Sequence, residues 1–195
     1  MKISRRRFVY LPITKKALIT VYLLSVLITL GTLELIESYE LIGVKWDSPP
    51  YPYLRYRPSN DGAEYDAIVT AANEWNAINA INPPVFLEEY DVEYEIETKD
   101  VWKDYVYWDG RATIYRYGNF IYRVLIEVNE KYTSTYEFDK IRSVAGHEFG
   151  HALGLDEEYD IPCLMHPYTY YRYDVHGICT PTQDEVDGID ALYGG

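Results

Sequence analysis

The chain has 195 residues, enough for one domain of ordinary size, and 48% of them are hydrophobic, enough to build a core. Residues 1–16 carry six basic side chains and no acidic one, so the −13 of the whole chain becomes −19 over the remainder. A body this acidic repels phosphate backbones, which argues against a nucleic-acid partner and for a solvated, soluble surface.

Residues 17–33, ALITVYLLSVLITLGTL, hold no charge and follow the basic flank. They sit at the short end of a membrane-spanning helix. They exceed the apolar region of a cleaved leader, and no small-x-small cleavage site follows them. One N-terminal hydrophobic helix is expected here as an anchor, with residues 1–16 cytoplasmic and residues 34–195 outside. A cleaved signal peptide and a secreted product are the alternative. Residues 34–44 read as a connector. Residues 45–195 read as one domain, because no interior linker divides them.

Within that domain, Tyr53–Arg57 alternates ring and charge as a half-buried strand does. Residues 64–81 place Ile68, Ala71, Ala72, Trp75 and Ile78 at helical spacing. Strands are expected over 84–88, 92–97, 112–117 and 120–128, punctuated by Asp109-Gly110 and Gly118-Asn119. A helix is expected over 139–153, ended by Gly154, since glycine tolerates the left-handed cap. Residues 155–179 read as irregular. The last helix is expected to start with Thr180 as cap, Pro181 in first position and Gln183 completing a capping box. The 22 tyrosines suit sheet faces and wet clefts, where a ring is buried and its hydroxyl is not.

The chemistry concentrates in His147-Glu148-Phe149-Gly150-His151. Histidines four apart on a helix share one face and can grip one ion. Zinc prefers four ligands and keeps one position for water in catalytic sites. Glu148 would lie beside that water, able to accept its proton and later pass it to a leaving amine. Only four histidines occur in the chain, and two are here. His166 and His176 lack metal spacing to the pair. Cys163 and Cys179 are too far apart for a cysteine zinc site; they suit a disulfide in an oxidising compartment, or else two buried thiols.

Residues 145–156 read AGHEFGHALGLD. This resembles the matrixins of the metzincin clan of zinc peptidases, whose signature H-E-x-x-H-x-x-G-x-x-H is followed by a methionine turn. Gly154 matches the signature glycine. Cys163-Leu164-Met165-His166-Pro167 resembles the methionine turn, and Asp184–Gly194 resembles the final matrixin helix. The resemblance covers residues 45–195. It implies an α+β fold with a mixed twisted sheet, about three helices and an active-site helix. It also implies a zinc endopeptidase acting on a protein or peptide laid along a sheet edge, with Met165 as a floor below the metal.

The third signature histidine is replaced by Glu157. The expected ligand set is therefore His147, His151 and Glu157, with Asp156 and Glu158 as alternatives to Glu157. Tyr168 and Tyr170 follow the methionine turn but are off the position of an oxyanion donor. Calcium is conceivable at Asp91, Asp100, Asp104 and Asp109, although none has calcium-loop spacing. The rival readings are a zinc-binding ectodomain that has lost catalysis and binds peptides or surface partners, and a structural protein that inherited the scaffold. Glu148 argues against both, since a purely structural site has no need of a base.

Overall fold

Alternation of apolar and charged side chains sets the sheet. In β2 (Tyr53–Arg57), Leu54 and Tyr56 are buried and Arg57 is exposed; in β4 (Ile96–Val101), Ile96 and Thr98 are buried and Lys99 is exposed. The computed structural model describes residues 39–47, 53–58, 62–88 and 93–194. The other strands are β1 (Lys45–Trp46), β3 (Val85–Glu88), β5 (Gly110–Tyr117) and β6 (Phe120–Asn129). The order β1-β6-β4-β2-β3 is parallel throughout. Only β5 runs antiparallel, as a hairpin on β6, so the sheet is mixed as expected. The other edge of β5 has no partner among the described strands.

Two helices close on this sheet: α1 (Ala63–Asn76) and α3 (Phe138–Leu153); the short α2 spans Glu130–Thr133. Small residues let α1 and α3 approach closely. Ala71 lies near Gly146, and the Trp75 indole N–H donates to the Gly146 carbonyl at 2.9 Å. The rings of Tyr56, Phe86 and Phe149 join sheet to helix, with centroids 4.9 to 6.5 Å apart. The last helix, α4 (Gln183–Tyr193), is tied to the C-terminal end of α3 by Tyr193, whose hydroxyl donates to the Leu153 carbonyl at 2.7 Å.

Several boundaries differ from expectation for tertiary reasons. The helix expected over 64–81 stops at Asn76, whose side-chain amide exchanges two hydrogen bonds with the Phe86 backbone and binds the helix end to β3. The strand expected over 92–97 is instead Ile96–Val101, where it pairs in register with Val124–Asn129 of β6. The final helix begins two residues late. The Glu185 carboxylate accepts from the Thr182 N–H at 2.6 Å and from its hydroxyl at 2.7 Å, so the box is Thr182/Glu185, not Thr180/Gln183. The segment read as irregular contains a π-helical turn, Tyr170–Val175. The anchor expected at 17–33 lies outside the described residues; among those described, no helix is long and apolar enough to cross a membrane.

The segment before β1 is engaged with the domain. Glu40 accepts from the Asp156 N–H at 2.8 Å, and the Ile42 N–H donates to the Gly154 carbonyl at 3.0 Å. Gly154 itself has φ 104°, the left-handed cap expected of it.

Gly150 is required by packing. A methyl group there would meet Met165 Sδ at 2.2 Å and Trp75 at 3.2 Å. Gly150→Ala gains about 1 kcal/mol of helix propensity. It loses about 1–3 kcal/mol to overpacking, because Met165 is itself buried on all sides. The expected outcome is a net loss on the order of 1 kcal/mol, read as a lower urea midpoint with an unchanged slope.

Candidate active site

From Ser143 to Gly150 every residue of α3 is buried, so its polar side chains must find partners inside the protein. His147 Nδ1 lies 2.9 Å from the Leu164 carbonyl, and His151 Nδ1 lies 2.9 Å from the Leu155 carbonyl. A carbonyl only accepts, so both rings carry the proton on Nδ1 and present a bare Nε2. The ring centroids are 4.6 Å apart. Ligand atoms of His147, His151 and Glu157 all lie within 4.8 Å of one another. Two imidazole nitrogens and one carboxylate oxygen gathered this closely fit a zinc ion.

The neighbouring carboxylates are occupied by their own loop. Asp156 is exposed and accepts from the Glu157 N–H at 2.9 Å. Glu158 is buried and accepts from the Asp160 N–H at 2.7 Å. Glu157 is half-buried, and one of its oxygens accepts from the Tyr159 hydroxyl at 2.5 Å. Among the described residues, Asp100, Asp104 and Asp109 belong to no such group of ligand atoms; Asp91 lies outside them. A second group, Cys163, Asp184 and Glu185, is buried where Glu185 caps α4 and accepts the Met165 N–H at 2.8 Å.

The histidines, Glu148 and Glu157 line a cleft of about 620 Å³. Gly110, Arg111 and Ala112 at the start of β5 line it too, as do Pro167–Tyr170 and Arg172. Burial pushes the Glu148 carboxyl up to about 8; Arg172 opposes this, and Asp109 adds to it. Burial also holds His147 well below the usual histidine range, helped by the charge of Arg172, and it lowers His151. Both imidazoles are therefore neutral near pH 7, the state a metal ligand needs.

The sequence model of the Matrixin family matches residues 59–194. The chain belongs to the matrixin family of metallopeptidases. Matrix metalloproteinase-18 of Xenopus laevis is 32% identical over 151 residues, which is 74% of this chain and 32% of the relative. Matrix metalloproteinase-20 of Homo sapiens is 31% identical over 158 residues, 77% of this chain and 32% of the relative. Interstitial collagenase of Equus caballus is 41% identical over 66 residues, 34% of this chain and 13% of the collagenase. The chain thus spans about a third or less of the length of these curated relatives.

One sequence expectation, a disulfide between the two cysteines, is not met in this matrixin. Cys163 is buried beside Glu185, while Cys179 accepts from Arg142 Nη2 at 2.7 Å. His166 is also buried, its ring stacked on Tyr171 with centroids 4.1 Å apart. His176, whose ring also lies against Tyr171 with centroids 4.6 Å apart, is exposed. Sequence reasoning missed Arg172, Tyr159 and Asp109 as cleft residues. A single arginine within Tyr170-Tyr171-Arg172-Tyr173 carries no spacing signal, and only the π-helical turn brings it to the cleft.

These shifts set the pH response of the metal-free protein. Native Glu148 keeps a proton that the unfolded chain has released, so its contribution is lost as pH rises toward about 8. The buried histidines act in the opposite sense, but only below their ordinary value of 6.5. Between those limits, stability of the metal-free protein is expected to fall with rising pH by up to about 1.4 kcal/mol per pH unit. Urea midpoints across the window measure the slope, and Glu148→Gln should flatten it.

Proposed function

We propose that this matrixin is a zinc-dependent endopeptidase. The observation that carries the reading is the pair of imidazoles locked through Nδ1 onto Leu164 and Leu155, with Glu148 buried in the same cleft. His147 and His151 would hold zinc through their bare Nε2 atoms, with Glu157 as the third ligand. The Tyr159 hydroxyl would hold the Glu157 carboxylate in place. A zinc ion held there would supply Lewis acidity toward a carbonyl oxygen and toward water. Glu148 accepts the proton of that water and delivers it to the leaving amine. We assign no calcium role.

The substrate is an extended protein or peptide segment. The edge of β5 that has no partner among the described strands begins at Gly110 inside the cleft, so a peptide added there as a strand would pass His147, His151 and Glu157. We place residues 45–195 as the peptidase domain outside the cytoplasm. The charge-free run 17–33 serves as its membrane anchor, 34–44 as connector and 1–16 as cytoplasmic flank. The support is the basic flank followed by that apolar run.

The test uses the full chain loaded with zinc and a denatured protein as substrate. Cleavage that a chelator abolishes and zinc restores is expected. Glu148→Ala should keep bound zinc and lose about 10²–10⁴-fold in kcat. Cleavage without zinc, or equal cleavage by Glu148→Ala, would sink the reading. Separately, Glu157→Ala should release zinc at concentrations that saturate the parent, and Tyr159→Phe should weaken zinc binding roughly tenfold by removing the orienting hydroxyl. Competition with a chromophoric chelator measures both; unchanged affinity in Glu157→Ala would remove Glu157 from the ligand set and leave the peptidase reading standing.

A further inference from the structure

Arg172 is a cation that the hydrolytic steps do not use. It is 1% exposed, and a buried guanidinium is costly unless a counter-charge sits beside it. Among the described residues no carboxylate lies within ion-pair distance of it. Its acceptors are all neutral: Ser143 Oγ at 3.0 Å from Nε, the His166 carbonyl at 2.6 Å from Nη1, and Thr169 Oγ1 at 2.9 Å from Nη2. These bonds use three of the five N–H groups and leave one on each Nη without an acceptor among the described residues.

The position of this cation is well determined. The Arg172 N–H donates to the Tyr168 carbonyl at 3.0 Å, and its own carbonyl accepts from the Ile178 N–H at 2.9 Å. It sits in a π-helical turn, an uncommon geometry that recurs at functional sites. It lines the same cleft as His147 and Glu148. Other carboxylates of the cleft are engaged elsewhere: Asp109 accepts from the Tyr136 hydroxyl, and Glu157 from the Tyr159 hydroxyl.

We propose that Arg172 makes its part of the cleft a subsite for a carboxylate, an aspartate or glutamate side chain of the protein substrate. A carboxylate accepts two N–H groups of one guanidinium, and it would supply both acceptors and a counter-charge nearer than Asp109 and Glu148, which act on Arg172 from beyond ion-pair distance. The rest of the chain is strongly acidic and disfavours acidic partners at long range. The preference is therefore confined to one substrate position. As a statement about cleavage, this rests on the peptidase reading; as a statement about binding, it does not.

The experiment presents a randomised peptide mixture to the zinc-loaded full chain and sequences two fractions, the cleaved products and the peptides retained by immobilised Glu148→Ala. Aspartate and glutamate should be enriched over asparagine and glutamine at one position in both fractions. Arg172→Gln should reduce that enrichment roughly tenfold, while Arg172→Lys, which keeps the charge, retains most of it. Zinc content and the circular dichroism spectrum report whether each variant is folded. Absence of acidic enrichment in the parent, or its persistence in folded Arg172→Gln, overturns the proposal; if that variant does not fold, the parent's enrichment and its loss at high salt decide. Retention of acidic peptides without any cleavage supports the subsite and sinks the peptidase reading. Cleavage without acidic preference does the reverse.

Discussion

The distance between α3 and the turn at residues 163–166 is set by a missing side chain. Gly150 leaves room for Met165 to pack on the helix, and three contacts then fix Met165 in place. Its N–H donates to Glu185, its carbonyl accepts from the Glu158 N–H, and its side chain packs against Gly150. The residue before it, Leu164, offers the carbonyl that orients His147. A local packing requirement therefore reaches the imidazole through one peptide unit. The same logic holds at the other end of the helix. The left-handed Gly154 turns the chain so that the Leu155 carbonyl faces His151, and Glu40 and Ile42 hold that turn from outside.

Electrostatics inside the cleft run against the character of the whole chain. The surface is acidic, yet the cleft is lined by two cations, Arg111 and Arg172. Arg111 is paired: with Lys103 it grips the buried Glu127, and both lie over the Trp108 ring. That cluster, with Asn129 accepting and donating at Lys103 and donating to Trp108, fixes the loop leading into β5. Arg172 has no such partner among the described residues. Glu157 brings a carboxylate close to the two neutral imidazoles. The buried guanidinium adds the opposite charge to the same cleft.

The abundance of tyrosine acquires a physical account here. Tyr107, Tyr132, Tyr136, Tyr159, Tyr168 and Tyr170 all line the cleft. Several spend their hydroxyls on fixing backbone and carboxylates: Tyr132 on the Val106 carbonyl, Tyr136 on Asp109 and Tyr159 on Glu157. Rings form the surface, and polar tips set the geometry of neighbouring groups. Composition announced the rings but not their destinations.

What the sequence by itself determined was local in origin. The spacing of His147, Glu148 and His151, the glycine stop at 154, the hairpin around Gly118-Asn119 and the mixed α+β character all follow from periodicity, turn chemistry and a family resemblance carried by short motifs. What only the tertiary structure decided depends on groups distant in sequence meeting in space. Helix α1 ends where Asn76 finds Phe86, ten residues on. Strand β4 begins where β6 offers partners. Cys163 and Cys179, plausible partners by spacing, face Glu185 and Arg142 instead. Among three adjacent carboxylates, Glu157 stands with the histidines because Asp156 and Glu158 bond to their own loop backbone, and that division arises only once the loop is folded over α3. The histidine pair is a property of one helix, whereas the approach of Glu157 to it and the cation at the cleft are properties of the packing around it.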